Sequence, residues 1–319
     1  MRGFLGLTKR NLLLFFKDKQ SILFSLLTSM IVLALYLLFL KDTFVNAMDS
    51  AINQFPGLSS LIDKNDKEMF ANLILLTGIL GSAMITVPYN CLITLVKDRE
   101  NKVDYDILAT PLKRGQIIFS YFVSAALSSA ILTSMILAIG LGVIGMQGDI
   151  YLGIGDIVKA FGVVALGSIS ATSIFMIVVL FFKSVSASGA FFGMLSAASG
   201  FIIGAYIPIS QFSESVQTVC NIFPASQITI VLRNVLINGL LEHMNTSLAG
   251  VDHGMFATII KELFSFKARI FGGYLDMTQM LGYITLSILV VSYLMLDAWG
   301  VVILFIAKIR EVFTDILIA

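Results

Sequence analysis

Six stretches of this chain are each long and apolar enough to cross a bilayer, and that restricts the fold more than any other feature. They are 22–40, 69–96, 117–146, 157–182, 185–209 and 278–306. A hydrocarbon core of about 30 Å takes roughly 20 helical residues. None of the six alternates apolar with polar residues, and each exceeds the roughly ten residues of a barrel strand, so all are expected to be helices. Composition agrees, with 57% hydrophobic and 13% charged residues and a mean hydropathy of +0.93 over 319 residues. A water-soluble domain of this size cannot bury so much apolar surface. The expected class is an all-α polytopic membrane protein of six transmembrane helices, one domain over 1–319.

The basic residues fix the expected orientation. Arg2, Lys9, Arg10, Lys17 and Lys19 precede the first span, in a segment (1–20) expected to lie as an interfacial helix. Lys97, Arg99, Lys102, Lys113 and Arg114 follow on the same side, with Lys183, Lys308 and Arg310. Fewer lie on the other side, in two long loops. Both termini are therefore expected in the cytoplasm of a bacterial cell. The net charge of +1 gives no footprint for nucleic acid.

Two segments of the outer side are too apolar for solvated loop. The first, 208–241, is interrupted by Pro208, Glu214, Pro224 and Arg233. It is expected to be a re-entrant pair of short helices before the last span, tolerable only where protein covers the backbone. The second, 255–271, is amphipathic at 100° per residue. It is expected to be a helix on the outer membrane face or capping the bundle. The first outer loop, 41–68, is unusually long.

Catalytic motifs are missing. No G-x-x-x-x-G-K-[ST] occurs, nor H-E-x-x-H, nor a Cys/His cluster. His243 and His253, ten residues apart, read as solvated loop residues rather than metal ligands. Cys91 and Cys220 make no disulfide framework. Asp297, the one acid within a span, reads as a span end near Leu296 and Trp299 rather than a proton relay. Gly189, Gly193, Gly200 and Gly204 form a small-residue stripe on the fifth span, which serves either packing within the chain or a partner helix. The hydroxyls Ser124, Ser128, Ser168, Ser170, Thr172 and Ser173 either line a polar path or bond back to their own helices.

The densest charge lies in 97–115, between two apolar spans. Val103, Ile107 and Leu108 sit at helical spacing, and Pro111 biases Thr110 out of helix. A short mixed-sign helix with a built-in stop is suited to receive another protein, because complementary charge fixes register. The run DRENKVDYDILATPLKRGQII resembles the cytoplasmic coupling segment of ABC-2 type transporter permeases, of the form E-R-E-x-G-T-x-x-x-L-x-x-T-P. Arg99, Glu100, Leu108, Thr110 and Pro111 match; Asn101–Asp104 depart at the Gly-Thr portion. Pro208, Pro224 and Arg233 resemble the element before the last span in the same family.

The resemblance implies a dimer with a second permease copy or a paralogue, and a separate ABC ATPase subunit that docks on Arg99, Glu100, Asp106, Leu108, Thr110, Pro111, Lys113 and Arg114. ATP and magnesium belong to that subunit; this chain carries no cofactor, metal or catalytic residue. It also implies an outer gate at Pro208, Pro224 and Arg233 and a seam along the glycine stripe. Export of an amphipathic, peptide, drug-like or lipid-linked substrate is the expected function. Two alternatives stay open: a membrane-bound sensor or immunity protein, and an ion-coupled secondary transporter acting alone.

Overall fold

The computed structural model describes residues 2–52, 62–248 and 255–296. Asp297, Trp299, Lys308, Arg310 and His253 lie outside them, as do residues 53–61 of the first outer loop and the end of the sixth expected span.

The chain is built on one central helix, α4 (Lys64–Glu100). At 37 residues it is about 55 Å long, and most of it is buried. Asp63 caps its start through Asn65 N–H at 3.2 Å. Packed around it are α2 (Lys19–Leu35), α6 (Arg114–Gly145), α7 (Ile154–Val179), α8 (Val185–Ile202) and α10 (Pro224–Ser247). Four helices, α4, α6, α7 and α8, are long and apolar enough to span a membrane, and two bent helix pairs raise the total to as many as six. The protein is a multi-pass membrane protein.

At one end, α1 (Arg2–Lys17) lies along α6 and meets α2 at 68°. Asp18 makes the corner by accepting from Ser21 N–H at 3.2 Å and Ser21 Oγ at 2.8 Å. This end also holds the six-residue α5 (Val103–Leu108).

The opposite end differs from expectation in four places. The first span does not stop at residue 40: a π-helical turn (Tyr36–Leu40) leads directly into α3 (Lys41–Ile52). Ion pairs Lys41–Glu68 (3.0 Å) and Lys67–Asp49 (2.7 Å) hold this polar helix on α4, so much of the expected loop is helix. The fifth span stops at Ile202 rather than 209. Gly204, at φ +68°, ends it, and Ala205 N–H reaches Gly200 O at 2.8 Å, closing the 6→1 bond of a Schellman motif.

The re-entrant pair is α9 (Glu214–Ile222) and α10, bent by 93° with Pro224 as the first residue of α10. The pair is not two short helices, since α10 has 24 residues and is wrapped by α4 and α7. It enters that slot because α4 is bare at Gly81, where a Cβ would lie 2.2 Å from Thr229 Oγ1. Finally, the amphipathic segment is helical only over α11 (Met255–Leu263). Ser265, at φ +56°, breaks it, and a β-hairpin follows. Strands β1 (Ala268–Ile270) and β2 (Gly273–Leu275) pair with Ala268 opposite Leu275. Phe271 and Gly272 both have positive φ, as a type I′ turn demands. Apart from this one short hairpin, the described residues form an all-α domain. Phe256, Ile260, Phe264 and Phe266 are buried, so this segment caps the bundle rather than lying on it. The last described helix, α12 (Met277–Leu296), starts directly after β2.

Candidate functional site

The α5 end carries the first candidate site. At the close of α4, Asn101 ends the helix and Lys102 takes φ +61°, so the chain turns back into α5. That is the position at which the E-R-E-x-G-T pattern has glycine, and lysine adopts the left-handed backbone glycine would favour. The turn survives the departure. Ile107, not Leu108, stands at the pattern's leucine and is the residue that α5 buries. Leu108 is 46% exposed and Tyr105 is 67% exposed. Asp106, Thr110, Pro111, Lys113 and Arg114 are exposed beside them. Thr110 Oγ1 donates to Ile107 O at 2.6 Å and Lys113 N–H donates to Gln116 Oε1 at 3.1 Å, which holds the knuckle in shape.

Arg99, half-buried, and Glu100, exposed, also bond within the chain. Arg99 Nη1 donates to Leu180 O at 2.9 Å, and Glu100 Oε2 accepts Val185 N–H at 3.1 Å. Both clamp the α7–α8 turn to the end of α4. In doing so they satisfy free backbone groups at the end of α7 and the start of α8.

A network that sequence reading missed ties α1 to the same place. Arg10 forms a bidentate pair with buried Asp98, at 2.6 and 2.9 Å, and Tyr121 Oη donates to the same carboxylate. Lys97 pairs with Asp18 at the α1–α2 corner. Between α1 and the knuckle runs a groove of about 850 Å³, bordered by Gly3, Leu7, Ile107, Thr110, Pro111 and Leu112. The Arg10–Asp98 pairing spans 88 residues of sequence, so no local pattern announces it.

Asp98→Ala leaves Arg10 and Tyr121 without their acceptor. Arg10 is about one-third exposed, which places the loss at the low end, about 2 kcal/mol; thermal unfolding in detergent checks it. Burial raises the Asp18 carboxyl, but hydrogen bonds from Lys97 and Ser21 outweigh it and leave the group below its ordinary value. Its contribution is therefore complete at neutral pH and fades only in acid, as the pH falls through that lowered value.

The second candidate site is the re-entrant element. Arg233 on α10 is 1% exposed and, among the described residues, has no acidic partner. It donates from Nη1 to Phe264 O at 2.8 Å and from Nη2 to Gly204 O at 2.9 Å. One side chain so joins α10, the end of α8 and the end of α11. Pro208 and Pro224 are buried at the two turns of the element. The segment expected as a gate is held at one point.

The glycine stripe divides. A Cβ at Gly189 or Gly193 would meet open space, whereas one at Gly200 would fall 2.2 Å from the Tyr206 ring, and Gly204 is the helix stop. Only Gly189 and Gly193 offer an open face. The hydroxyls form no continuous path: Ser124, Thr172 and Ser173 bond back to their own helices, and Ser168 meets Thr133 while Ser170 meets Ser287. His243 stacks on Tyr151 and lies 3.6 Å from Asp66, among no metal-holding group of the described residues.

The coupling knuckle, the N-terminal helix and the re-entrant pair before the last helix form one arrangement, and a model of ABC-2 family transporter proteins matches residues 40–308. The chain belongs to the ABC-2 transporter family. No curated protein matches the sequence. It is an ABC-2 permease, and membership implies association with an ATP-hydrolysing subunit.

Proposed function

We propose that this permease is the membrane subunit of an ATP-driven exporter, moving an amphipathic, peptide, drug-like or lipid-linked substrate out of a bacterial cytoplasm. The observation that carries the reading is the exposed patch of Tyr105, Asp106, Leu108, Thr110 and Pro111, held on a rigid base by residues the fold itself uses. Apolar groups on a charged, solvent-facing end mark an interaction surface. A nucleotide-binding subunit seated there pushes on α4 and, through Arg10–Asp98, on α1. Two copies meet across α2 and α8, where Gly189 and Gly193 leave room for close approach. The re-entrant pair acts as the outer gate, six spans place both termini in the cytoplasm, and the nucleotide and its magnesium stay on the partner.

Reconstitution tests the reading against a self-sufficient carrier or a sensor. Vesicles holding the permease and its ATPase should move a fluorescent amphiphile only while ATP is hydrolysed. Equal movement by the permease alone, or ligand binding with no movement in either case, overturns the proposal.

A further inference from the structure

Helix α9 is inside out. It exposes Val219 (63%), with Val216 and Ile222, and buries Gln217, Thr218 and Asn221, the last to 1%. A water-facing helix does the reverse, so the outer face of α9 is built for hydrocarbon. The end of α9 meets the start of α12, where Tyr283 Oη, in the second turn of α12, donates to Ile222 O at 2.9 Å. So α9 lies beside the start of an apolar helix, and Phe271, at the β-turn next to it, is 84% exposed.

The polar side of α9 faces a cleft of about 820 Å³, walled by α11 and the β-hairpin. Gln217 and Asn221 spend their amide donors on backbone carbonyls, Gln217 to Phe212 O at 2.8 Å and Asn221 to Arg269 O at 3.0 Å. What remains for a ligand is charge. Lys261, Lys267 and Arg269 line the cleft against one acid, Glu262. Arg269 is paired with Glu214 at 3.1 Å and lies over the Tyr274 ring, whereas Lys261 and Lys267 have no ion-pair partner among the described residues. Two unpaired cations in a pocket whose floor is a lipid-facing helix fit one chemistry: an anionic headgroup in the cleft, its acyl chains crossing α9 into the bilayer.

We infer that the cleft between α9, α11 and the β-hairpin binds the phosphate or carboxylate headgroup of an anionic amphiphile. That this molecule is the exported cargo rests on the permease reading; that it binds does not. The test uses the full chain in detergent and three probes: dihexanoyl phosphatidylglycerol, dihexanoyl phosphatidylcholine and glycerol phosphate. The anionic lipid should bind at least tenfold more tightly than the other two, and Lys261→Gln with Lys267→Gln should weaken it about tenfold. Val219→Asn, on the exposed face, should weaken the lipid without changing glycerol phosphate. Equal affinity for both lipids, or no effect of the lysine changes, overturns the anion site. Glycerol phosphate binding as tightly as the lipid overturns the amphiphile. Copurification with the ATPase is read in parallel: if it fails in the unaltered chain, the permease reading fails while the lipid result stands.

Discussion

Tyr105→Ala with Leu108→Ala should weaken pairing with the ATPase subunit about a hundredfold, roughly 2.7 kcal/mol, and abolish ATP-dependent transport. Both side chains are exposed and neither holds the fold, so insertion and thermal stability should stay unchanged. Asp106→Lys, on the same surface, should act differently. It should slow association and make it depend on salt, because a rim charge steers encounter more than it holds the complex. Glu100→Lys is not equivalent, since Glu100 caps the start of α8 and its loss disturbs the turn itself. Copurification at two salt concentrations separates these effects. Full pairing by the double alanine variant would remove the knuckle as the docking point.

Arg233→Met should cost about 2–3 kcal/mol, because it leaves the Phe264 and Gly204 carbonyls buried without donors. Losing an unpaired buried charge recovers part of that cost, and this keeps the figure modest. Arg233→Lys should be at least as damaging. It keeps the buried charge but replaces a planar fork by one ammonium that cannot span both carbonyls. Thermal unfolding in detergent gives the order of the two variants. The re-entrant pair should lose its fixed position in both, so transport should fall further than stability does. A lysine variant as stable as the parent would show that the fork is dispensable.

What was legible in the sequence follows from the range of each interaction. Span length is a local property, and α4, α6 and α7 stand within a few residues of expectation. The stop at Thr110-Pro111 is local as well. The polar helix α3 was not legible, because Lys41–Ile52 lacks an apolar run and owes its place to Glu68 and Lys67 on another helix. The 255–271 segment shows why periodicity alone misleads. Its apolar residues are buried as expected, yet Ser265 and the Phe271-Gly272 turn divide it into helix and hairpin. Gly272-Gly273 was the available signal. The bonds of Arg99 and Glu100 to the α7–α8 turn were not legible, because nothing local shows that this turn lies beside them. Arg10–Asp98–Tyr121 was invisible for the same reason.

If a nucleotide-hydrolysing subunit grips the α5 knuckle, a probe placed on the knuckle should touch it. Cys91 and Cys220 are both buried, so Leu108→Cys supplies a single accessible thiol for a photo-crosslinker. In membranes holding the intact transporter, illumination should join this position to a protein whose peptides include a G-x-x-x-x-G-K-[ST] phosphate loop. Crosslinks confined to lipid or to the permease itself would contradict the account.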